Sequence, residues 1–213
     1  VMNSCNPAFI EWGRRVGVDN FYTYIDKLGL TSKTGIDIAG EAGTIIHKKE
    51  NVGEVELATM SFGQSFQITP MQMLRAAAAI VNGGNLVTPH FAIRTCAADK
   101  TTYSEFSYST TQEAVSKETS DTMKDILRQV VEEGGGKKAY IEGFSIGGKT
   151  ATSQKLPRGS GKYIASFIGF SDVTDPSVIA MCLIDEPQGV YYGGTIAAPV
   201  IRELYDNILP YMD

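Results

Sequence analysis

Three strand-like runs lie in the last third of the chain: YIEGFSIGGKTATSQK at residues 140–155, YIASFIGF at 163–170 and VIAMCLID at 178–185. All three are rich in β-branched and aromatic residues, which favour strands. Short segments rich in Gly, Pro, Ser and Asp separate them. This spacing predicts a three-stranded antiparallel meander. A final helix from about Thr195 to Leu209, with Pro199 in its first turn, is predicted to cover one face of the sheet.

The chain before these strands is predicted to be mainly helical. Asn6 and Thr69 are suitable capping residues, and each precedes a proline that fits the first helical position. Apolar periodicity then predicts helices over about residues 7–17, 19–28, 70–81 and 116–133. Loops are expected at 30–55, one strand at 86–94 and a polar surface segment at 97–112. The prediction is an α+β protein, with a mainly helical part at 1–139 and the meander with its helix at 140–213.

Composition excludes several classes of function. The chain has 213 residues, 43% of them hydrophobic and 20% charged, which predicts a globular fold that needs no disulfide or metal. A net charge of -5 without any Lys/Arg stripe argues against nucleic acid as a partner. Three cysteines without a C-x-x-C pair, and only two histidines, predict neither a metal site nor histidine-based catalysis. No apolar run reaches the roughly eighteen residues of a membrane span.

Two polar motifs point to acyl transfer. Ser4-x-Asn6 opens the chain and Gly147-Gly148-Lys149-Thr150-Ala151-Thr152 lies on the first predicted strand. They match, in order and spacing, the second and third of the S-x-x-K, S-x-N and K-T-G signatures of serine penicillin-recognising enzymes. With the segments at 13–17, 57–64, 69–73, 164–170, 185–187 and 191–194, essentially the whole chain resembles the class B penicillin-binding proteins, and most of all the Gram-positive division or stage V sporulation protein D type.

The resemblance implies a role for each motif residue in a peptidoglycan D,D-transpeptidase. Ser4 would relay a proton to the leaving nitrogen, Asn6 would bind the substrate backbone, and Lys149 would hold positive potential near Ser4. Thr150 and Thr152 would bind the terminal carboxylate, and the Thr152 backbone N–H would form half of the oxyanion hole. Ala151 departs from the glycine of K-T-G. On a strand its methyl shares a face with Lys149, so it is expected to alter efficiency rather than identity.

The S-x-x-K signature is missing from these residues. None of the twelve lysines has a serine three positions earlier. We therefore expect the chain to be the C-terminal portion of a transpeptidase domain, with three strands of the family's five-stranded sheet, its acylating serine upstream of Val1, and no activity of its own. The resemblance implies stem peptides and β-lactams as ligands and no cofactor. It also implies a membrane-anchored parent on the extracytoplasmic face that works with a septal glycosyltransferase.

Three alternative interpretations remain open. A literal K-T-G at Lys33-Thr34-Gly35 follows a helix end among glycines, so we interpret it as a loop rather than the substrate-binding box. Residues 143–150 match the G-x-x-x-x-G-K-[ST] pattern of a nucleotide-binding P-loop, although such a loop must open a helix and a strand is predicted to follow here. The chain could also be a non-catalytic module that binds peptide or β-lactam without turnover.

Overall fold

The computed structural model describes residues 1–212, and it confirms an α+β fold of helices flanking antiparallel sheets. The helices are α1 (Asn6–Lys27), α2 (Glu54–Ser61), α3 (Pro70–Val81), α4 (Lys117–Glu132), α5 (Gly193–Ile196) and α6 (Ala198–Ile208). The strands are β1 (Leu86–Val87), β2 (Arg94–Cys96), β3 (Tyr103–Glu105), β4 (Thr110–Thr111), β5 (Ile146–Gln154), β6 (Tyr163–Ser171) and β7 (Ile179–Asp185). Short 3₁₀ turns lie at Lys49–Asn51, Lys137–Ala139 and Leu209–Tyr211.

The largest sheet has the antiparallel order β5-β6-β7. One face of it packs on α6, where Phe167 and Tyr205 are fully buried and the Tyr205 hydroxyl donates to the Gly169 carbonyl at 2.6 Å. The strand predicted from residue 140 begins only at Ile146, because Gly143 takes a positive φ of 86° and turns the chain. Within the described residues β5 pairs only with β6, so it is an edge strand.

The helical part agrees with expectation in one place and differs from it in two. Gly17 has a φ of 74°, so α1 is two helical segments that meet where two helices were predicted. Asn6 was predicted as the cap of this helix, but it is the first helical residue, Cys5 occupies the cap position, and no side chain caps the end. Helix α2 was not predicted, although its Leu57 and Met60 are buried.

The strand predicted over residues 86–94 is mostly absent. Only Leu86–Val87 and Arg94–Cys96 are extended in ladders, and they pair with β4 and β3 inside the segment expected to be a surface loop. The backbone between them turns instead toward Asp37, whose carboxylate accepts hydrogen bonds from the Phe91 and Ala92 amides. This local anchor replaces the ladder that a continuous strand would need.

A buried glutamine fixes the loop before α2. Thr69 and Gln72 form a reciprocal capping box at the start of α3. The Gln72 side chain is fully buried, and its amide also donates to the Ser32 carbonyl and the Thr44 hydroxyl, both at 2.7 Å. The amide therefore connects α3 to the loop at residues 32–44.

Two of the alternative motifs do not have the geometry that their chemistry needs. Residues 143–150 run from a turn into the interior of β5, and β6 follows β5, so no helix N-terminus is available to hold a phosphate. Thr34 lies in a loop, buried, with its amide and hydroxyl both donating to Glu41 at 2.7 Å. Among residues 1–212 no helix combines the length and apolar character that crossing a bilayer requires.

Candidate functional site

The structure brings the two ends of the chain together at the Lys149 amine. Its Nζ donates to the Ser4 Oγ at 2.5 Å, although 145 positions separate the two residues. The same amine donates to the Thr150 carbonyl at 2.7 Å. Ser4 precedes α1 with a φ of 48°, and Lys149 lies in β5. The hydrogen bonds to the Ser4 side chain and to the Thr150 carbonyl together fix the position of the Lys149 ammonium in a cleft that all three residues line.

Electrostatics make this a site for an anion. Burial lowers the pKa of Lys149, and no carboxylate in residues 1–212 forms an ion pair with it. The surrounding cleft has a volume of about 1820 Å³ and is lined by five cationic side chains and one carboxylate, that of Asp185. The cations are Lys137, Lys138, Lys149, Lys155 and Arg158. A positive cleft in a chain of net charge -5 favours a negatively charged ligand.

The open edge of β5 presents its backbone to the cleft. The Lys155 amide donates to the Lys162 carbonyl on the neighbouring chain segment. The pairing of β5 with β6 is uninterrupted, and peptide groups alternate sides along a strand, so the N–H and C=O groups of Thr150 and Thr152 point away from β6. The bond from Lys149 to the Thr150 carbonyl agrees with this direction. An extended peptide can therefore pair with β5 as an added strand.

A glycine contact holds the Thr152 side chain in place. The Gly193 amide donates to the Thr152 Oγ1 at 3.2 Å. A Cβ at Gly193 would lie 2.2 Å from the Ser166 carbonyl oxygen and 2.3 Å from that of Ala151, so only glycine allows α5 to approach the sheet this closely. Residues 191–194 entered the sequence analysis only as part of a segment that resembles the family, without a role of their own. The close approach explains why glycine is needed there.

The remaining motif residues also line the cleft. Asn6 makes no capping hydrogen bond, and its side chain lies with Gln64 and Thr152 around a smaller pocket. Ala151 is exposed in the same cleft. The Gln64 amide donates to the Ser153 hydroxyl at 3.3 Å and connects the loop after α2 to β5.

Sequence reasoning missed several residues of this cleft. Lys137 and Lys138 were not assigned to any site from the sequence, yet both line the cleft. Gln64 was noted only inside a longer matching segment and had no assigned contact. These side chains come from elements far apart in the chain, and no local spacing rule marks them, so only the three-dimensional arrangement identifies them.

Comparisons with known proteins identify the family to which the chain is similar. The family model described as penicillin binding protein transpeptidase domain matches residues 1–206. The chain is 41% identical to "Stage V sporulation protein D" of Bacillus subtilis over 215 residues, covering 99% of this chain and 33% of that protein. It is 30% identical to "Probable peptidoglycan D,D-transpeptidase PenA" of Neisseria meningitidis, with 98% of this chain and 35% of that protein covered. The chain thus spans about a third of the length of these relatives.

A solved structure is similar throughout. The crystal structure of penicillin binding protein 3 from Mycobacterium tuberculosis complexed with aztreonam matches with a TM-score of 0.90 and 26% identity. The match covers 99% of this chain and 50% of that chain. The same protein was also solved with ampicillin.

Proposed function

The chain belongs to the transpeptidase domain family of the class B penicillin-binding proteins, and on that basis we propose that it is the C-terminal portion, residues 1–213, of a serine D,D-transpeptidase domain that cross-links peptidoglycan stem peptides. The observation that carries the proposal is the hydrogen bond from Lys149 to Ser4 beside an unpaired strand edge. A serine supplied by a longer parent protein attacks the carbonyl carbon of the penultimate D-alanine. D-alanine leaves, and an amine of a neighbouring stem resolves the acyl-enzyme.

Ser4 is suited to deliver the proton in this scheme. Because Lys149 donates into the Ser4 Oγ, that oxygen is already an acceptor, and its own O–H is left to donate. A hydroxyl with this orientation protonates the leaving D-alanine nitrogen and recovers its proton from the attacking serine. Asn6, on the first turn of α1, donates its free amide to the substrate backbone.

The edge of β5 binds the substrate's carboxyl end. The ammonium of Lys149 supplies positive potential, and the hydroxyls of Thr150 and Thr152 donate to the terminal carboxylate. The outward-facing N–H of Thr152 forms half of the oxyanion hole for the tetrahedral intermediate. Ala151 leaves the hydroxyls of Thr150 and Thr152 unobstructed, because its methyl lies on the Lys149 face of the strand.

The parent protein is proposed to act outside the cytoplasm. Relatives three times as long carry the names of a sporulation protein and of peptidoglycan D,D-transpeptidases. The parent is then a membrane-anchored enzyme of the cell wall, bound by β-lactams and working with a septal glycosyltransferase. The similarity to penicillin binding protein 3 in its aztreonam and ampicillin complexes supports β-lactams as ligands.

The 213-residue chain is proposed to lack the serine that substrate or penicillin would acylate. None of its lysines follows a serine by three positions, so the nucleophile and its activating lysine are not among these residues. We expect no covalent adduct when the chain is incubated with a fluorescent penicillin, whereas a longer parent containing S-x-x-K should be labelled. A covalent adduct on the chain itself would overturn this part of the proposal.

The second K-T-G tripeptide supplies a matched control. In the longer parent, Lys149→Ala should slow penicillin labelling by about a hundredfold, the typical effect of removing one transition-state donor. Lys33→Ala, in the buried-threonine loop, should leave the labelling rate within about twofold. Equal effects of the two substitutions would contradict the assignment of residues 149–151 as the substrate-binding box.

Reversible binding is the second candidate function. The cationic cleft and the open edge of β5 are both present without an acylating serine. Calorimetry of the 213-residue chain with a D-alanyl-D-alanine peptide separates the two proposals. Measurable heat that is lost in Lys149→Ala would favour a binding module, and no heat would favour a part that acts only within its parent.

A further inference from the structure

A cluster of four charged side chains lies at the end of the largest sheet, beyond Thr152. The ammonium of Lys155, which follows β5, lies 2.9 Å from Asp185 and 2.8 Å from Glu186, at the end of β7. Lys162, which precedes β6, lies 3.0 Å from the second oxygen of the Glu186 carboxylate. This charge cluster therefore connects the ends of all three strands through their side chains.

The two lysines of the cluster would repel each other without the carboxylates. The Lys155 amide donates to the Lys162 carbonyl and continues the pairing of β5 with β6, so the two residues lie opposite each other. Like charges at opposed positions destabilise a sheet. The Glu186 carboxylate bridges the two ammonium groups and offsets their repulsion. An isolated exposed ion pair contributes little, but a network of several charges can fix a geometry.

The backbone conformation of Glu186 turns its carboxylate toward the lysines. Asp185 lies opposite Ile164 in the pairing of β6 with β7, and both line the cleft. Strand alternation would place the next side chain, that of Glu186, on the other face of the sheet. Glu186 instead has a φ of 49°, in the left-handed region that is unfavourable for a residue with a Cβ. An unfavourable conformation is therefore retained at the residue that bridges the two lysines.

Glu186 can influence the cleft only through its neighbours. Lys155 lines the cleft, whereas Glu186 is not among the residues that line it. Within the described residues β5 pairs with no strand along its outer edge, and the hydrogen bond from Lys149 to Ser4 holds one end of the edge segment. Lys155 lies three residues beyond Thr152, a distance of about 10 Å along a strand. The charge cluster therefore holds the other end of this segment.

We propose that Glu186 is a positioning residue, which holds the Lys155 ammonium, fixes the end of β5 and thereby sets the direction of the Thr152 N–H. The proposal rests on the proposed function, in which that N–H forms half of the oxyanion hole. Such a donor acts only when it is aimed at the developing charge, and loss of one donor lowers rates by about a hundred- to a thousandfold. A smaller loss is expected without Glu186, because Asp185 still binds Lys155.

Substitutions of Glu186 in the longer parent test the proposal. Stopped-flow kinetics with benzylpenicillin separate the limiting acylation rate constant from the apparent Kd of the complex that precedes acylation. We expect Glu186→Gln and Glu186→Gly to lower the rate constant about three- to tenfold and to leave the Kd within about twofold. Glu186→Asp keeps the charge and should lose less. Because glycine adopts a positive φ without steric cost, the Tm of Glu186→Gly should be no lower than that of Glu186→Gln.

Two further variants show whether Glu186 acts through Lys155. In a Lys155→Met background, Glu186→Gln should slow acylation no further. Asp206→Asn is the matched control, because it removes an exposed carboxylate from a 3.6 Å ion pair with Arg202 on α6. It should leave the acylation rate constant unchanged.

Four results would overturn the positioning role. They are acylation by Glu186→Gln and Glu186→Gly within about twofold of the unsubstituted parent, a change confined to the Kd, an equal loss in the Lys155→Met background, and an equal loss in Asp206→Asn. A rate constant that follows the Tm from one variant to the next would also overturn it, since Glu186 would then only stabilise the fold. Failure of the unsubstituted parent to react with benzylpenicillin would instead refute the proposed function.

Discussion

Substituting Gly193 by alanine tests whether the close contact between α5 and β5 positions the site. The new Cβ would lie 2.2 Å from the Ser166 carbonyl oxygen, whereas carbon and oxygen atoms normally approach to about 3.3–3.6 Å. The start of α5 must therefore retreat by about 1.1–1.4 Å. That movement would lengthen the 3.2 Å hydrogen bond from the Gly193 amide to Thr152 beyond any useful distance.

The expected cost follows from this displacement. Overpacking against backbone atoms typically destabilises by about 1–3 kcal/mol, equivalent to a decrease of roughly 2–4 °C in Tm per kcal/mol for a chain of this size. A displacement of about 1 Å at a reacting group lowers rates by up to a hundredfold. We expect Gly193→Ala to lower the Tm and to slow benzylpenicillin acylation of the longer parent by about ten- to a hundredfold.

Gly43→Ala is the matched control for this prediction. Gly43 is exposed, has no atom within 4 Å of an added Cβ and does not have a positive φ. Its substitution should leave the Tm within about 1 °C or raise it slightly. If thermal unfolding and acylation kinetics of the two variants are indistinguishable, Gly193 does not position Thr152 and the reasoning is wrong.

Three other predictions follow from buried groups. Burial lowers the pKa of Lys149, so its ammonium loses its charge as the pH rises through that lowered pKa. Acylation should therefore decline at a lower pH than it would with a lysine of ordinary pKa 10.5, and a pH profile of the acylation rate constant checks this. Over the same window the unfolded chain binds more protons, so the Lys149 contribution to stability should rise with pH in denaturant titrations. Gln72→Leu removes the buried amide that bonds the Ser32 carbonyl, the Thr44 hydroxyl and the Thr69 amide, and should lower the free energy of unfolding by about 2–4 kcal/mol, whereas the exposed Gln112→Leu should change it by less than about 0.5 kcal/mol. Tyr205→Phe should cost about 1–2 kcal/mol because the buried Gly169 carbonyl loses the hydroxyl donor that it has in addition to its ladder partner, and Tyr211→Phe, exposed near the chain end, should cost nothing measurable in the same urea titration.

The sequence predicts regular elements well where local chemistry is strong. The alternation and composition of residues 163–170 and 178–185 place β6 and β7 within one residue, and Thr69-Pro70 marks the start of α3. Prediction fails where a side chain from a distant part of the sequence binds the backbone amides. Asp37 captures the amides at 91 and 92 and ends the expected strand, an interaction that no window of neighbouring residues contains.

The residues of the site also divide into those that the sequence predicts and those that only the folded structure identifies. A strand motif and a signature at the other end of the chain are visible as short patterns, and the resemblance that they support places Ser4 and Lys149 side by side. Gln64 and Gly193 lie inside longer segments that resemble the family but had no role assigned from the sequence, and Arg158 lies outside those segments. Their importance depends on steric and electrostatic relations between α5, β5 and the loop after α2, and these appear only once the chain is folded.

The outward-facing peptide groups of β5 also limit how the protein can evolve. Every residue type except proline presents the same N–H and C=O to a partner, so exchanging side chains along this strand leaves most of the docking surface intact. Resistance mutations against an inhibitor that imitates an extended peptide are therefore expected outside β5, in residues that tilt or shield the strand. Under the proposed function the same changes also move the edge that pairs with the natural substrate, so they are expected to slow the natural reaction as well.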